Sequence, residues 1–234
     1  AVNKSFSVSM DRTDRLAQVG FIVITLGNRG GHPDRSKWYH TFGYGNLRDY
    51  GLADKKYVAE QLADKHDFID IEKVGIFGHS GGGFMSTAAM LVYPDFFKVA
   101  ISSAGNHDNT VYNSWWSETH HGIKEEADDK GNIKYNYLID KNQTLAQNLK
   151  GKILLATGDV DNNVHPTGTI RMVNAFIKAN KRFDFMLFPG SRHGFSDREY
   201  WFWKNVDYFS KHLLGVEKID VDMIEMNREK PMKN

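Results

Sequence analysis

Five short apolar runs alternate with longer amphipathic stretches along this chain, and that alternation limits its fold more than any other feature. The runs are Phe21–Leu26, Val74–Phe77, Val99–Ser102, Ile153–Thr157 and Phe183–Phe188, bounded by Gly, Pro or Asn. Runs this short and this uniformly apolar read as strands covered on both faces, which is the habit of parallel sheets. Between them lie candidate helices. Leu47–Lys65 carries Leu52, Val58, Ala59 and Leu62 at helical spacing, and Phe84–Val92 stops ahead of Pro94. Pro166 opens a segment running to about Asn180, and a last helix from Asp197 to Leu214 ends at Gly215. Strand and helix in strict alternation predict an α/β fold, a mostly parallel sheet with helices on both faces. The polar stretch Gly122–Asn148 reads as a surface excursion, and the charged tail after Val216 as surface, so residues 1–234 are expected to form a single domain.

Composition narrows the function classes. At 234 residues one sizeable core is affordable, and 41% hydrophobic with 25% charged residues is an ordinary globular balance. A formal net charge of +1 lacks the basic excess of a nucleic-acid binder. The chain has no Cys, which removes disulfides, a thiolate nucleophile and Cys-ligated zinc. No apolar run is long enough to span a membrane, and Ala1–Ser5 carries no signal-peptide stretch.

The chemistry concentrates at Gly78-His79-Ser80-Gly81-Gly82, a Gly-x-Ser-x-Gly pattern directly after a predicted strand and directly before a predicted helix. That is the setting of a nucleophile elbow, where a sharp turn lifts the Ser hydroxyl out of the backbone and small neighbours are needed. It points to an α/β-hydrolase fold with Ser80 as nucleophile. The helix N-terminus that follows adds free N–H groups, Gly81 first, where an oxyanion would form.

A Ser hydroxyl needs a base, and in this fold the acid and then the His follow it in chain order. The loop after Ile153–Thr157 contains Asp159, Asp161 and His165; the loop after Phe183–Phe188 contains His193. Asp161 is the expected acid, with Asp159 capping the turn at the strand end. His193 is the expected base. His165 is read as packing or capping the next helix, and His212 as a cation at a solvated helix end.

Gly78–Gly83, Asn148–Lys152, Gly158–His165 and His193-Gly194-Phe195 together resemble the prolyl oligopeptidase family of serine peptidases, within it the dipeptidyl peptidase IV branch. The likeness runs from about Phe21 to Leu214, and Asn28-Arg29-Gly30-Gly31 matches the branch's Arg-Gly turn. The resemblance implies a peptidase acting on short peptides, of dipeptidyl type, with a post-proline or small-residue preference and no cofactor. It implies that Asn163 binds a substrate carbonyl, that Tyr112 and Trp116 wall the pocket before the scissile bond, and that Val164 lines it too. Gly81 stands where vertebrate dipeptidyl enzymes have Tyr, implying a roomier pocket floor.

By the same resemblance, Phe21–Leu26 corresponds to a fourth strand, so the sheet is expected to lack its first strands. A β-propeller and the Tyr supplying a second oxyanion donor are expected ahead of the chain, making it the C-terminal part of a longer, periplasmic or secreted protein. Such a piece is expected to be nearly inactive alone and prone to self-associate as a homo-oligomer. Carboxylesterase activity, or a hydrolase fold without chemistry, are the alternatives; Gly30-Gly31-His32 superficially matches an esterase oxyanion motif but follows the wrong strand. His107, His120 and His121 beside Asp108 and Glu118 lack metal-ligand spacing, and no Lys-Ser/Thr follows Gly81–Gly83 to make a phosphate loop.

Overall fold

A computed structural model describes residues 15–32, 34–137 and 139–217. Its main sheet has four parallel strands: β1 (Val74–His79), β2 (Phe97–Ser103), β5 (Lys152–Gly158) and β6 (Asp184–Phe188), side by side in that order. The crossovers carry α2 (Gly81–Val92) after β1 and α4 (Thr167–Lys178) after β5, while α1 (Leu52–Lys65) precedes β1 and α5 (Arg198–Phe209) follows β6. A short helix α3 (Ser114–His121) and the hairpin β3 (Ile123–Ala127) with β4 (Ile133–Tyr137) lie between β2 and β5.

Alternation along the two inner strands builds two cores. Ala100, Ile153 and Leu155 face Leu52, Ala88, Leu91, Met172 and Phe176 of α1, α2 and α4. Val99, Ile101, Leu154 and Ala156 face Trp201, Tyr208 and Phe209 of α5. α2 is the central helix, buried from Gly83 through Leu91, which is why its sequence is apolar all round. The outer strands differ from the expectation of burial on both faces. β1 alternates half-buried with exposed residues, and in β6 Phe185 and Leu187 are 42% and 44% exposed. Only β2 and β5 have a strand on each side among the described residues.

The expected strand Phe21–Leu26 is a correction. Its backbone forms no ladder; a cavity of about 580 Å³ lies between it and β1, lined by both segments together with Lys55, Phe68 and Phe209. Apolar sequence made a strand of it, but a strand exists only where a neighbour accepts its hydrogen bonds. The first helix also starts later than expected, at Leu52: residues 47–50 are turns capped by Gly51, with Leu47 and Tyr50 buried in the core. The last helix runs as expected to Leu214, its final turn widened to a π-helix over Ser210–Leu214, and Gly215 ends it at φ 71°.

Gly122–Asn148 is a surface excursion only in part. In its hairpin β3 is exposed throughout, and Asp128 shapes the turn by accepting from the N–H groups of Lys130 and Asn132. The segment Asn142–Asn148 is instead sewn to α2: Asn142 Nδ2 donates to Phe84 O at 2.9 Å and Asn148 Nδ2 to Leu91 O at 3.0 Å. The tail beyond Glu217 and most of Ala1–Gly20 lie outside the described residues.

Candidate active site

All the parallel strands point their C-terminal ends to one side, where open α/β sheets place their chemistry. Ser80 directly follows β1, the Asp161 loop follows β5 and the His193 loop follows β6. Ser80 sits at φ 60°, ψ −122°, a conformation that an L-residue adopts only when the surroundings hold it. Its N–H donates to Ser103 O at 2.8 Å, pinning the turn to β2, and its C=O accepts from Phe84 N at 3.0 Å, starting α2. Two glycines make this possible. A Cβ on Gly78 would lie 2.4 Å from the Gly82 backbone, and one on Gly83 2.5 Å from Ser103 O. Gly82, the last residue of the motif, meets nothing within 4 Å. The steric demand thus falls on Gly83, one residue past the pattern.

The N–H of Gly81 belongs to the first turn of α2, where no intrahelical acceptor exists, and the dipole of that apolar helix adds positive potential. Since the Ser80 N–H is committed to Ser103, Gly81 is the first donor available beside the hydroxyl.

Asp161 is 2% exposed. Its Oδ1 accepts from the N–H groups of Asn163 and Val164, each at 2.9 Å, and its Oδ2 from His193 Nδ1 at 2.8 Å. A carboxylate can only accept here, so Nδ1 carries the hydrogen and Nε2 is left with its lone pair. The His193 side chain is 24% exposed, open to the strand-end side. Among the described residues Ser80 Oγ has no hydrogen-bond partner, so its link to His193 is not made in this state, a common feature of unliganded hydrolases. Asp159 is exposed and its N–H donates to Phe188 O, a turn contact. His165 Nδ1 accepts from Thr167 N at 3.2 Å and Thr167 Oγ1 lies 2.7 Å from it, a cap on α4.

The expected pocket residues converge on the same loop. Tyr112 Oη donates to Asn163 Oδ1 at 3.0 Å, and its ring meets Trp116 edge-on with centroids 5.3 Å apart. Burial, and then the Asp161 charge, push the Tyr112 hydroxyl pKa up, so it stays a donor. Val164 is 4% exposed; its N–H serves Asp161, and little of its side chain faces open space.

The other histidines go separate ways. His107, fully buried, lies 3.1 Å from Asn142 Nδ2, and burial lowers its pKa to about 3. His121 Nε2 accepts from Asn109 Nδ2 at 2.9 Å and is lowered to about 4, mainly by burial. Asp108 pairs with Arg171 at 2.8 Å. Among the described residues no group of three or more His, Cys, Asp or Glu is placed to hold a metal ion, and no helix is long and apolar enough to cross a membrane. His212 corrects the sequence reading: it packs on Tyr208 with centroids 4.6 Å apart, and burial with nearby Lys152 lowers its pKa, so the helix end does not favour its cation.

Two neighbours of the site escaped the sequence reading. His79 lays its ring 4.8 Å from that of His193, and Ser103 holds His79 through Oγ at 2.9 Å. His79 stood inside the motif but at its variable position, and Ser103 carried no motif at all.

The sequence model of the prolyl oligopeptidase family matches residues 6–215. Human dipeptidyl peptidase 8 is 28% identical over 217 residues, covering 91% of this chain and 23% of its own length. Mouse prolyl endopeptidase FAP is 26% identical over 177 residues, covering 76% of this chain and 23% of its own. The crystal structure of Porphyromonas gingivalis dipeptidyl peptidase 4 superposes with a TM-score of 0.76 at 24% identity, over 88% of this chain and 28% of that one, which establishes the α/β-hydrolase fold. The chain therefore spans about a quarter of the length of the relatives it matches.

Proposed function

This chain belongs to the prolyl oligopeptidase family, and from that premise we propose that it carries the catalytic machinery of a serine peptidase, with Ser80 as nucleophile, Asp161 as acid and His193 as base. The observation that carries the reading is the buried Asp161–His193 hydrogen bond of 2.8 Å, set on the same side of the sheet as the strained Ser80. An imidazole held with its hydrogen on Nδ1 presents a basic Nε2, which is what a Ser hydroxyl needs.

In the proposed reaction Nε2 of His193 takes the Ser80 proton as Oγ attacks a peptide carbonyl. The tetrahedral oxyanion accepts from Gly81 N–H, with α2 behind it. Asp161 stays ionised and stabilises the imidazolium. His193 then protonates the leaving amine, and water releases the acyl group by the reverse steps. Because Tyr112 already donates to Asn163 Oδ1, the Asn163 amide keeps its Nδ2 hydrogens for a substrate carbonyl. The Tyr112–Trp116 corner suits a flat apolar side chain such as proline ahead of the scissile bond. Dipeptidyl cleavage is proposed for the whole protein on the strength of relatives named as dipeptidyl peptidases.

The test compares Gly-Pro-p-nitroanilide with p-nitrophenyl butyrate, alongside fluorophosphonate labelling, for wild type and Ser80→Ala. Amide cleavage lost in the Ala variant is the expected result. Ester cleavage alone, still through Ser80, replaces the peptidase with an esterase; labelling that survives Ser80→Ala overturns the nucleophile.

A further inference from the structure

His79 occupies the variable position of the nucleophile turn, one residue before Ser80, and nothing in the proposed reaction uses it. Ser103 Oγ donates its own hydrogen to Gly78 O at 3.1 Å, so in its 2.9 Å contact with His79 Nδ1 the hydroxyl is the acceptor and the imidazole the donor. His79 is thereby tethered to β2 in one tautomer. Its ring stands 4.8 Å from the His193 ring, centroid to centroid, inclined at 54°. Phe195 closes the other side, edge-on to His79 at 5.9 Å and stacked on Phe188 at 4.2 Å.

His193 needs such a neighbour. Its hydrogen bond to Asp161 fixes one ring atom, but rotation of an imidazole about its last side-chain bond is soft. Whether Nε2 points at Ser80 or away depends on what the ring rests against, and the nearest described ring is His79. We propose that His79 is a positioning residue for His193: anchored through Ser103, its ring sets the orientation from which His193 reaches Ser80. The inference rests on the proposed roles of Ser80 and His193.

The experiment is the rate of Ser80 labelling by a fluorophosphonate at pH 8 for wild type, His79→Ala and His79→Phe, with thermal melts to verify folding. His79→Ala is expected to slow labelling at pH 8 by about 10- to 100-fold, the scale of a misplaced base. His79→Phe restores a ring at that place and is expected to recover most of that rate. Labelling of His79→Ala at the wild-type rate, or a Phe variant no better than Ala, overturns the proposal. Proton NMR of the His193 ring supplies an arm independent of labelling. In His79→Ala its ring signals are expected to move and those of His79→Phe to return toward wild type, and unchanged signals in the Ala variant overturn the proposal even if the chain labels poorly. Labelling that persists in Ser80→Ala would instead overturn the assignment of Ser80, with the NMR result still deciding the His79–His193 relationship.

Discussion

Asp161 and His193, 32 positions apart in sequence, meet in a single 2.8 Å hydrogen bond, and the other carboxylate oxygen of Asp161 is held by two backbone N–H groups of its own loop. Three of the carboxylate's roughly four acceptor positions are thereby engaged, and together they fix how Asp161 sits.

That relationship predicts the outcome of Asp161→Asn. The amide's NH₂ would face His193 Nδ1 as a donor and force the hydrogen to Nε2, the wrong tautomer for a base. Turnover or Ser80 labelling at neutral pH is expected to fall by about 10⁴-fold with the fold intact, as in comparable triads. Stopped-time labelling with a circular-dichroism melt measures both.

The two glycines of α2's first turn should respond in opposite ways. Gly83→Ala drives a Cβ to 2.5 Å from Ser103 O, with Gly105 Cα at 3.2 Å. Backbone cannot give way there as a flexible side chain can, so about 1–3 kcal/mol of stability is expected to be lost, together with the elbow geometry. Gly82→Ala meets open space inside a helix and is expected to be neutral or to stabilise by about 0.5–1 kcal/mol. Denaturant midpoints of the two variants give the comparison.

Tyr112→Phe removes the hydroxyl that holds Asn163 Oδ1 while keeping the ring against Trp116. Because that bond orients a group proposed to bind ground state and transition state alike, KM for a Gly-Pro amide should rise about five- to tenfold, the worth of one ordinary hydrogen bond, with kcat little changed. A loss confined to kcat would argue against this role.

His107 makes the chain acid-sensitive. Its folded pKa is lowered from 6.5 to about 3 by burial, so the folded state refuses a proton that the unfolded chain accepts. The stability it supports is whole above about pH 6.5 and is lost as pH falls from there toward 3, by up to about 1.4 kcal/mol per pH unit. Urea midpoints between pH 7 and 4 should fall accordingly, and His107→Gln, uncharged throughout, should flatten the dependence whatever its effect at pH 7.

The strands and helices that the sequence made legible are those whose signals are local. α2 carries its apolar run and its glycines, α4 opens after Pro166, and β2 and β5 are apolar because both of their faces are covered. Phe21–Leu26 shows the limit: the same composition yields no strand, because nothing along the run specifies a partner for its hydrogen bonds. The hairpin Ile123–Tyr137 was hidden for the opposite reason. Its strand β3 is exposed and both strands carry charged residues, so they lack the apolar run that marks a buried strand, although Asp128 and Gly131 do mark its turn.

By itself the sequence determined the parts that chain neighbours control. These are the sharp turn at Ser80, the glycine needed beside it, the helix dipole that follows, and the order in which Ser80, Asp161 and His193 appear. Those depend on backbone sterics and on hydrogen bonds spanning a few residues. Only the tertiary structure decided which acid meets which base, that Asp159 stays in solvent, that Gly83 carries the steric demand, and that His79 stands against His193. Each of these is a distance between segments brought together by packing the strands side by side, and no spacing along the chain encodes it.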